Sequence, residues 1–355
     1  MEDFTLKIRK KDVKELYQSI KVKIKSLDFD KIYKGFKPFD FALYTDDFVV
    51  LKDQIIKYDN RFIGNTAIMY EGDYLAIWKI ESIFVHFNII TSKIVHEMFH
   101  AYQYKCEEKR FPNEFFGLGY KYEKYNIATK YDETKFLLQA IEEEDMTSLL
   151  KFITLREKRR SEYEFDLLYE EGIETVEGTA KYVELQVLSQ LSLSDYQKVY
   201  DEIKNNIKNI KNYIPIRWVS YDIGCLILMA KDRFNIEFKA EIGTETNNIY
   251  NLIFSDYQAI DFYHENTILD LSFLDQYYQS IVDSINKVLI SNPKIHQCDQ
   301  VIGFDPLNSF RIDKYIYYRH FVMIKQQGKD VFIHNESVGE VNELNQVFAV
   351  YERVA

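Results

Sequence analysis

Apolar residues in the first quarter of the chain change from a helical spacing to a strand spacing. Over the first ~35 residues they recur at intervals of three and four among lysines, which predicts amphipathic helix. From Phe39 to Ile83 they come in short β-branched or aromatic runs, which predict strands at 41–44, 48–51, 63–70 and 74–78. Glu71-Gly72-Asp73 is a turn signal between the last two runs. A small sheet with a hairpin is therefore expected.

The middle of the chain has a helical pattern, and the C-terminal part returns to strands. From about 88 to 286 glycine is rare and apolar residues recur at three and four, with helices expected at 132–145, 147–160 and 163–190. Strand-like runs follow at 315–318, 321–324, 331–333 and 347–351. We therefore predict an α+β protein in three parts: an N-terminal helix and small sheet (1–88), a helical domain (89–292) and a small β module (295–355).

Composition and charge narrow the classes of function. Aromatic residues make up 16% of the 355 residues, enough to build large cores, so disorder is not expected. A formal net charge of -11 argues against a nucleic-acid partner. No apolar run is long enough for a membrane span, and no apolar signal-peptide segment follows the N-terminus. The three scattered cysteines fit a reducing compartment, so a cytoplasmic location is expected.

The segment with the most chemical content is His96-Glu97-Met98-Phe99-His100, which reads H-E-x-x-H within a predicted helix at 92–107. Two histidines at i and i+4 lie on one helix face, where they can hold one Zn²⁺, and Glu97 can reach a water activated by it. The alternative is an ordinary helix with two histidines. The surrounding helix is largely apolar, and burying two imidazoles and a carboxylate without a partner is costly, which favours the metal.

A catalytic zinc site needs a third protein ligand, which must come from another part of the chain. The metzincin extension of the motif would place a glycine and a histidine three and six residues after His100. Those positions hold Gln103 and Cys106. The metzincin extension therefore cannot supply the third ligand.

Val176-Glu177-Gly178-Thr179-Ala180-Lys181-Tyr182-Val183-Glu184 resembles the N-E-G-F-A-x-Y-x-E helix of the zinc aminopeptidase branch of the gluzincins, the thermolysin-like metallopeptidases. The resemblance implies that Glu177 is the third zinc ligand and that Glu184 steadies a ligand histidine. Val176 replaces the usual asparagine, and the 77-residue gap from His100 to Glu177 is longer than is usual in the family. A helical insertion can fill such a gap at little entropic cost.

Glu174 lies one turn before Glu177 and is a rival ligand, although the Gly-x-Ala context favours Glu177. Alternatively, this glutamate-rich segment is a solvated helix face. Apolar residues at 173, 176, 183 and 185 argue that part of the segment is buried.

Ser220-Tyr221-Asp222-Ile223-Gly224 resembles the Y-E-K-G helix start of the same aminopeptidases. The resemblance implies that the Tyr221 hydroxyl stabilises the oxyanion of the tetrahedral intermediate. The alternative is a packed tyrosine, one of 28 in the chain. Arg217 could hold a substrate carboxylate or pair with an acid, and we favour the second role.

Gluzincins place an edge strand over the zinc, where an extended peptide adds by backbone hydrogen bonds. Residues 64–69 lie at the corresponding place before H-E-x-x-H. They lack the aminopeptidases' G-x-M-E-N motif, so the resemblance does not imply an exopeptidase. It covers roughly residues 60–235 and implies a zincin-like catalytic domain.

The expected function is that of a zinc-dependent metallopeptidase acting on a peptide or protein substrate. His96, His100 and Glu177 would hold one Zn²⁺, Glu97 would be the general base, and Tyr221 would stabilise the oxyanion. Two alternatives stay open. One is a non-catalytic or regulatory zincin-fold binding module, and the other is a metal-free helical protein with a chance motif.

Overall fold

The computed structural model describes residues 8–82, 86–238 and 241–354, and the protein is α+β. Predictions that concern 1–7 and Ile83 lie outside the described residues. The chain begins with helices α1 (Lys10–Lys25) and α2 (Phe29–Ile32). The buried residues of α1 recur at three and four, as the pattern predicts: Val13, Tyr17, Ile20 and Ile24.

A five-stranded sheet follows, with strands β1 (Phe41–Tyr44), β2 (Phe48–Leu51), β3 (Gln54–Lys57), β4 (Thr66–Tyr70) and β5 (Asp73–Lys79). Their order is β3-β2-β1-β5-β4. Strands β1 and β5 are parallel and the other neighbours are antiparallel. The β4–β5 hairpin was predicted, and β4 forms one edge of this sheet.

The helical part consists of α3 (Phe87–Lys105), α4 (Glu114–Leu118), α5 (Lys124–Glu143), α6 (Met146–Glu162), α7 (Glu164–Ile173), a π-helical turn (Glu174–Gly178), α8 (Thr179–Leu191), α9 (Leu193–Lys208), a 3₁₀ turn (Ile210–Tyr213), α10 (Ile216–Arg233), α11 (Ile249–Phe254) and α12 (Ser272–Ile290). The largest apolar core is formed mainly by α5 to α11. Residues 257–271 have no regular structure, although the sequence predicted mostly helix as far as 286.

The C-terminal part is a β module of strands β6 (Lys294–Gln297), β7 (Gln300–Phe304), β8 (Ser309–Ile312), β9 (Tyr315–Tyr318), β10 (Val322–Gln326), β11 (Lys329–Ile333), β12 (Ser337–Val341) and β13 (Val347–Glu352). They form sheets in the orders β11-β10-β7 and β6-β13-β12-β9-β8. Ile281, Ile285 and Val288 of α12 belong to one of the module's apolar clusters, and Leu118 of α4 belongs to another. The module therefore shares its core with the helical part.

Among the described residues, no helix combines the length and the apolar character that crossing a bilayer requires.

Candidate metal centre

Helix α3 carries the H-E-x-x-H segment on a face that is buried against the rest of the protein. His96, Glu97 and His100 are 9%, 8% and 7% exposed. The two Nε2 atoms of the histidines lie 3.1 Å apart. Because the residues are one turn apart, both imidazoles point to the same place, as the spacing predicted.

Glu177, which lies outside helix α3, approaches the imidazoles of both histidines. Its Oε2 lies 3.1 Å from His100 Nε2 and 3.9 Å from His96 Nε2. One donor atom from each of the three residues falls within 4.8 Å of the others. This is a set of two nitrogens and one oxygen, the donor chemistry that catalytic zinc sites use.

Glu177 projects from the π-helical turn Glu174–Gly178, which joins α7 to α8. Such single-turn widenings recur at functional sites, because the extra residue shifts side chains around the helix axis. The sequence predicted one uninterrupted helix at 163–190 and did not predict the π turn.

Glu174, the rival ligand, lies away from the histidines. Arg156 donates to both of its carboxylate oxygens, at 2.6 and 2.9 Å, and Lys130 Nζ lies 3.5 Å away. The side chain is fully buried in a cluster of ion pairs. The structure therefore brings Glu177, and not Glu174, to the His96–His100 pair.

Gln103 connects two of the candidate ligands. His100 Nδ1 is 2.7 Å from Gln103 Oε1, and Gln103 Nε2 donates to the Val176 carbonyl at 3.0 Å. Because Gln103 accepts from Nδ1, the His100 Nε2 lone pair is left facing the centre. From the sequence, Gln103 was considered only because it stands where the metzincin motif has a glycine. Its place one turn after His100 on the same helix was the available signal.

Glu184, which the resemblance names as the residue that steadies a ligand histidine, lies beside His96. Its Oε2 is 3.6 Å from His96 Nδ1, which is an ion-pair distance. Nδ1 is buried and has no closer hydrogen-bond partner. Lys181 donates to Glu184 at 3.1 Å, so the carboxylate is held in place from its other side.

The electrostatics of the centre favour positive charge. Burial lowers the pKa of His96, but the carboxylates of Glu177 and Glu184 outweigh it and raise that pKa to about 10. Burial raises the pKa of Glu177, but His100, His96 and Arg217 outweigh it and hold that pKa well below its usual range. A place where a buried imidazole prefers its charged form is also a favourable place for a cation.

Glu97 has a different environment. Burial raises the pKa of its carboxyl, and the two neighbouring histidines oppose this only in part. A carboxylate with a raised pKa is a better proton acceptor than an ordinary glutamate. The side chain lines the same cleft as the candidate ligands.

Arg217 on α10 pairs with two acids, the role favoured from the sequence. It donates to Glu114 at 2.6 Å and to Glu177 at 2.8 Å. Tyr221, one turn later, lines the same cleft. Burial and the nearby Glu177 raise the pKa of Tyr221 well above its usual value, so its hydroxyl keeps its proton and can donate.

Two glycines allow α10 to approach the π turn closely. A Cβ added at Gly178 would lie 2.5 Å from Gly224 Cα, and one added at Gly224 would lie 2.3 Å from the Glu174 carbonyl oxygen. Both glycines belong to segments that carry the gluzincin resemblance. Their contact is what brings Arg217 and Tyr221 next to Glu177.

The centre opens into a cleft of about 880 Å³. One wall contains Asn65 and Thr66, at the start of edge strand β4, and another contains residues of α10. Both tryptophans of the chain, Trp78 and Trp218, line it, and Leu307 of the β module also contributes. A volume of this size accommodates a ligand of drug or short-peptide size.

Neither a model of a known protein family, nor a curated protein, nor a solved structure matches this chain.

Proposed function

We propose that the protein is a zinc-dependent metallopeptidase of the gluzincin type, with a zincin-like catalytic domain. The observation that carries the proposal is the convergence of His96, His100 and Glu177 in a cleft that also contains Glu97. The chain supplies three ligands with nitrogen and oxygen donors, as catalytic zinc sites do, and a carboxylate beside them that is not needed as a ligand.

His96, His100 and Glu177 would hold the ion, with Gln103 and Glu184 orienting the two imidazoles. A zinc ion there would supply an electrophile that acidifies water and polarises a carbonyl oxygen. The remaining chemistry belongs to side chains of this protein.

Glu97 moves the proton. Its carboxylate accepts a proton from the attacking water and delivers it to the nitrogen of the leaving amine, so that the C–N bond breaks without releasing an anionic amine. Burial keeps the pKa of Glu97 above its usual value, which suits both halves of this transfer.

Tyr221 faces the charge that develops on the substrate. A protonated hydroxyl that is partly buried in the cleft wall can donate to the oxyanion of the tetrahedral intermediate. Arg217 holds Glu177 by a hydrogen bond to Oε1, which leaves Oε2 toward the histidines. Strand β4 is an edge strand of the sheet as far as the structure describes it, and it begins at the cleft, where an extended peptide can add by backbone hydrogen bonds.

The test is the substitution Glu97→Gln in protein loaded with zinc. We expect one zinc ion per chain to remain, because Glu97 is not a ligand, and kcat on cleaved peptides to fall by at least about a hundredfold. Glu162→Gln, an exposed position on α6 outside the cleft, is the matched control and should keep full activity.

Peptide cleavage by the zinc-loaded natural protein is measured against a mixed peptide library by mass spectrometry. Undiminished turnover in Glu97→Gln contradicts the assigned role of Glu97. Failure of the natural protein to cleave any peptide, with zinc fully bound, contradicts the peptidase proposal itself.

A further inference from the structure

One lysine that lines the cleft forms no ion pair with any residue that the structure describes. Lys93 lies on α3 one turn before Glu97, lines the cleft and is partly buried. Its Nζ is 5.9 Å from the centroid of the Trp78 ring. Within the described ranges, no carboxylate forms an ion pair with it.

The other two cleft cations are neutralised by acids of the protein. Arg217 is bound to Glu114 and Glu177, and Lys181 is bound to Glu184. Lys93 acts on Glu184 only through space, where it helps to lower the pKa of that carboxyl, whereas Lys181 is the lysine that Glu184 binds directly. The available charge at this place is therefore positive.

Polar groups of the N-terminal sheet line the same cleft as Lys93 and Trp78. Asn65 accepts from the Lys79 backbone nitrogen through Oδ1 at 2.8 Å, so its Nδ2 remains a donor. Thr66 pairs with Ile77, next to Trp78, and contributes a hydroxyl. Asn65, Thr66, Trp78 and Lys93 all line the cleft. These four residues are called here the sheet-side subsite.

We propose that the sheet-side subsite binds a carboxylate of the substrate, with Lys93 as the residue that determines specificity. The inference rests on the proposed peptidase function and gives its substrate class: peptides with an acidic group close to the scissile bond. The amine of Lys93 supplies the charge, Asn65 and Thr66 supply neutral donors, and the Trp78 ring covers the aliphatic part of the bound side chain.

A carboxylate can come from an aspartate or glutamate side chain or from the C-terminus of a peptide. Both sources offer the same chemistry to Lys93. The lysine lies four residues before Glu97 on α3, which corresponds to about 6 Å along the helix axis. Either source can therefore reach the sheet-side subsite from a peptide placed at the centre.

Binding tests the inference without requiring turnover. Zinc-loaded Glu97→Gln protein is titrated against fluorescein-labelled alanine hexapeptides that carry one Glu, Gln or Lys, each with a free or an amidated C-terminus. We expect peptides with a carboxylate to bind on the order of tenfold more tightly than their neutral matches, the size of a charge-assisted hydrogen bond. If replacing Glu by Gln in the peptide abolishes the preference, the bound carboxylate is that of the side chain. If amidation abolishes it, the bound carboxylate is that of the C-terminus.

Substitutions of Lys93 distinguish specificity from a structural role. Lys93→Met should abolish the preference for the carboxylate while leaving zinc content and the unfolding midpoint unchanged. Lys93→Glu should reverse it in favour of the Lys peptide, a change of sign that a packing defect does not produce. Lys198→Met, an exposed lysine of α9 outside the cleft, removes the same charge and should leave the preference intact.

A preference for carboxylates that survives in Lys93→Met overturns the inference, as does equal binding of the Glu, Gln and Lys peptides by the parent protein. Selective binding together with no cleavage by the natural protein keeps the carboxylate subsite and refutes the peptidase proposal. Cleavage of peptides without any charge preference in binding refutes the carboxylate subsite and leaves the peptidase proposal standing.

Discussion

At the scale of single residues, the centre depends on which atoms converge and what holds them there. His96 and His100 come together through helix geometry alone, whereas Glu177 is selected by long-range contacts. Gln103 links the ligand from α3 to the turn that carries Glu177, so it fixes both halves of the centre at once. A neutral amide does this without adding a charge to compete with the ion.

The choice between Glu177 and Glu174 gives a prediction at this scale. Glu177→Ala should lose most of its bound zinc and still fold, because Arg217 keeps its contact with Glu114. Glu174→Gln should retain zinc but lower the free energy of unfolding by on the order of 3 kcal/mol, because it takes a charged partner from the buried Arg156.

Zinc per chain from elemental analysis and urea unfolding curves measure these two effects separately. Full zinc retention in Glu177→Ala would refute Glu177 as the third ligand. Loss of zinc in Glu174→Gln at unchanged stability would reassign that role to Glu174.

At the scale of elements, exposure explains two of the strands that the sequence missed, β3 and β6, but not β12, which is largely buried and was also missed. The strands β1 and β2 are buried along their whole length and were predicted. Strand β3 is mostly exposed and was not predicted. It follows β2 through Lys52 and Asp53, both with positive φ, a hairpin turn that their side chains do not signal. In the C-terminal module the same applies to β6, whose side chains are largely exposed.

The crossing of α10 over the π turn gives a prediction at the scale of elements. Gly224→Ala would place a methyl group 2.3 Å from the Glu174 carbonyl oxygen, so the two elements must move apart. We expect the free energy of unfolding to fall by about 1–3 kcal/mol, as overpacking does. Zinc affinity should fall as well, because the π turn carries Glu177.

Gly119→Ala is the matched control, since its added Cβ would lie 3.5 Å from the Phe116 carbonyl oxygen, an ordinary van der Waals distance. Urea unfolding and zinc titration of both variants measure the difference. Equal effects of the two substitutions would show that the close crossing is not needed.

At the scale of the whole molecule, a fully buried ion cluster joins α5, α6, α7 and the π turn. Its fully buried members are three cations and three anions: Lys130, Arg156, Arg159, Glu133, Glu170 and Glu174. None of these side chains is exposed. Arg156 also lies 3.9 Å from Glu171, which pairs with Arg160 at the margin of the cluster. The cluster lies directly behind the turn that carries Glu177, so the stability of the fold and the position of the ligand are connected.

The pH dependence of stability follows from the cluster. Burial raises the pKa of Glu170, but Arg159 and Lys130 outweigh it and hold the pKa below its usual 4.5. Its folded pKa is depressed, so its contribution is present above about pH 4.5 and is lost as the pH falls below that value. Glu170→Gln should therefore be most destabilising near neutral pH and less so in acid.

Asp166, one turn earlier on α7, should behave in the opposite way. Burial raises its pKa from 3.8 to about 6, so the fold prefers the protonated form. The cost of ionisation grows as the pH rises from 3.8 to 6 and is constant above. Asp166→Asn should raise the free energy of unfolding by about 1–2 kcal/mol near neutral pH and by nothing in acid.

Urea unfolding of both variants and of the natural protein across this pH range measures whether each substitution's effect on the free energy of unfolding has the expected sign and pH dependence. Differences that do not change with pH, or that change in the same direction for both variants, would contradict the assigned protonation states.

The sequence by itself determined the elements and the chemistry that local spacing controls. Most of the predicted helices and strands are present, and the i, i+4 spacing of His96 and His100 is enough to bring their Nε2 atoms together. The tertiary structure alone decided that Glu177 meets them while Glu174 joins the ion cluster, that Gln103 connects His100 to the turn carrying Glu177, and that Lys93 lies by Trp78 in the cleft. These outcomes depend on contacts between residues distant in the chain, such as the 77 residues from His100 to Glu177, which the period of a single helix does not specify.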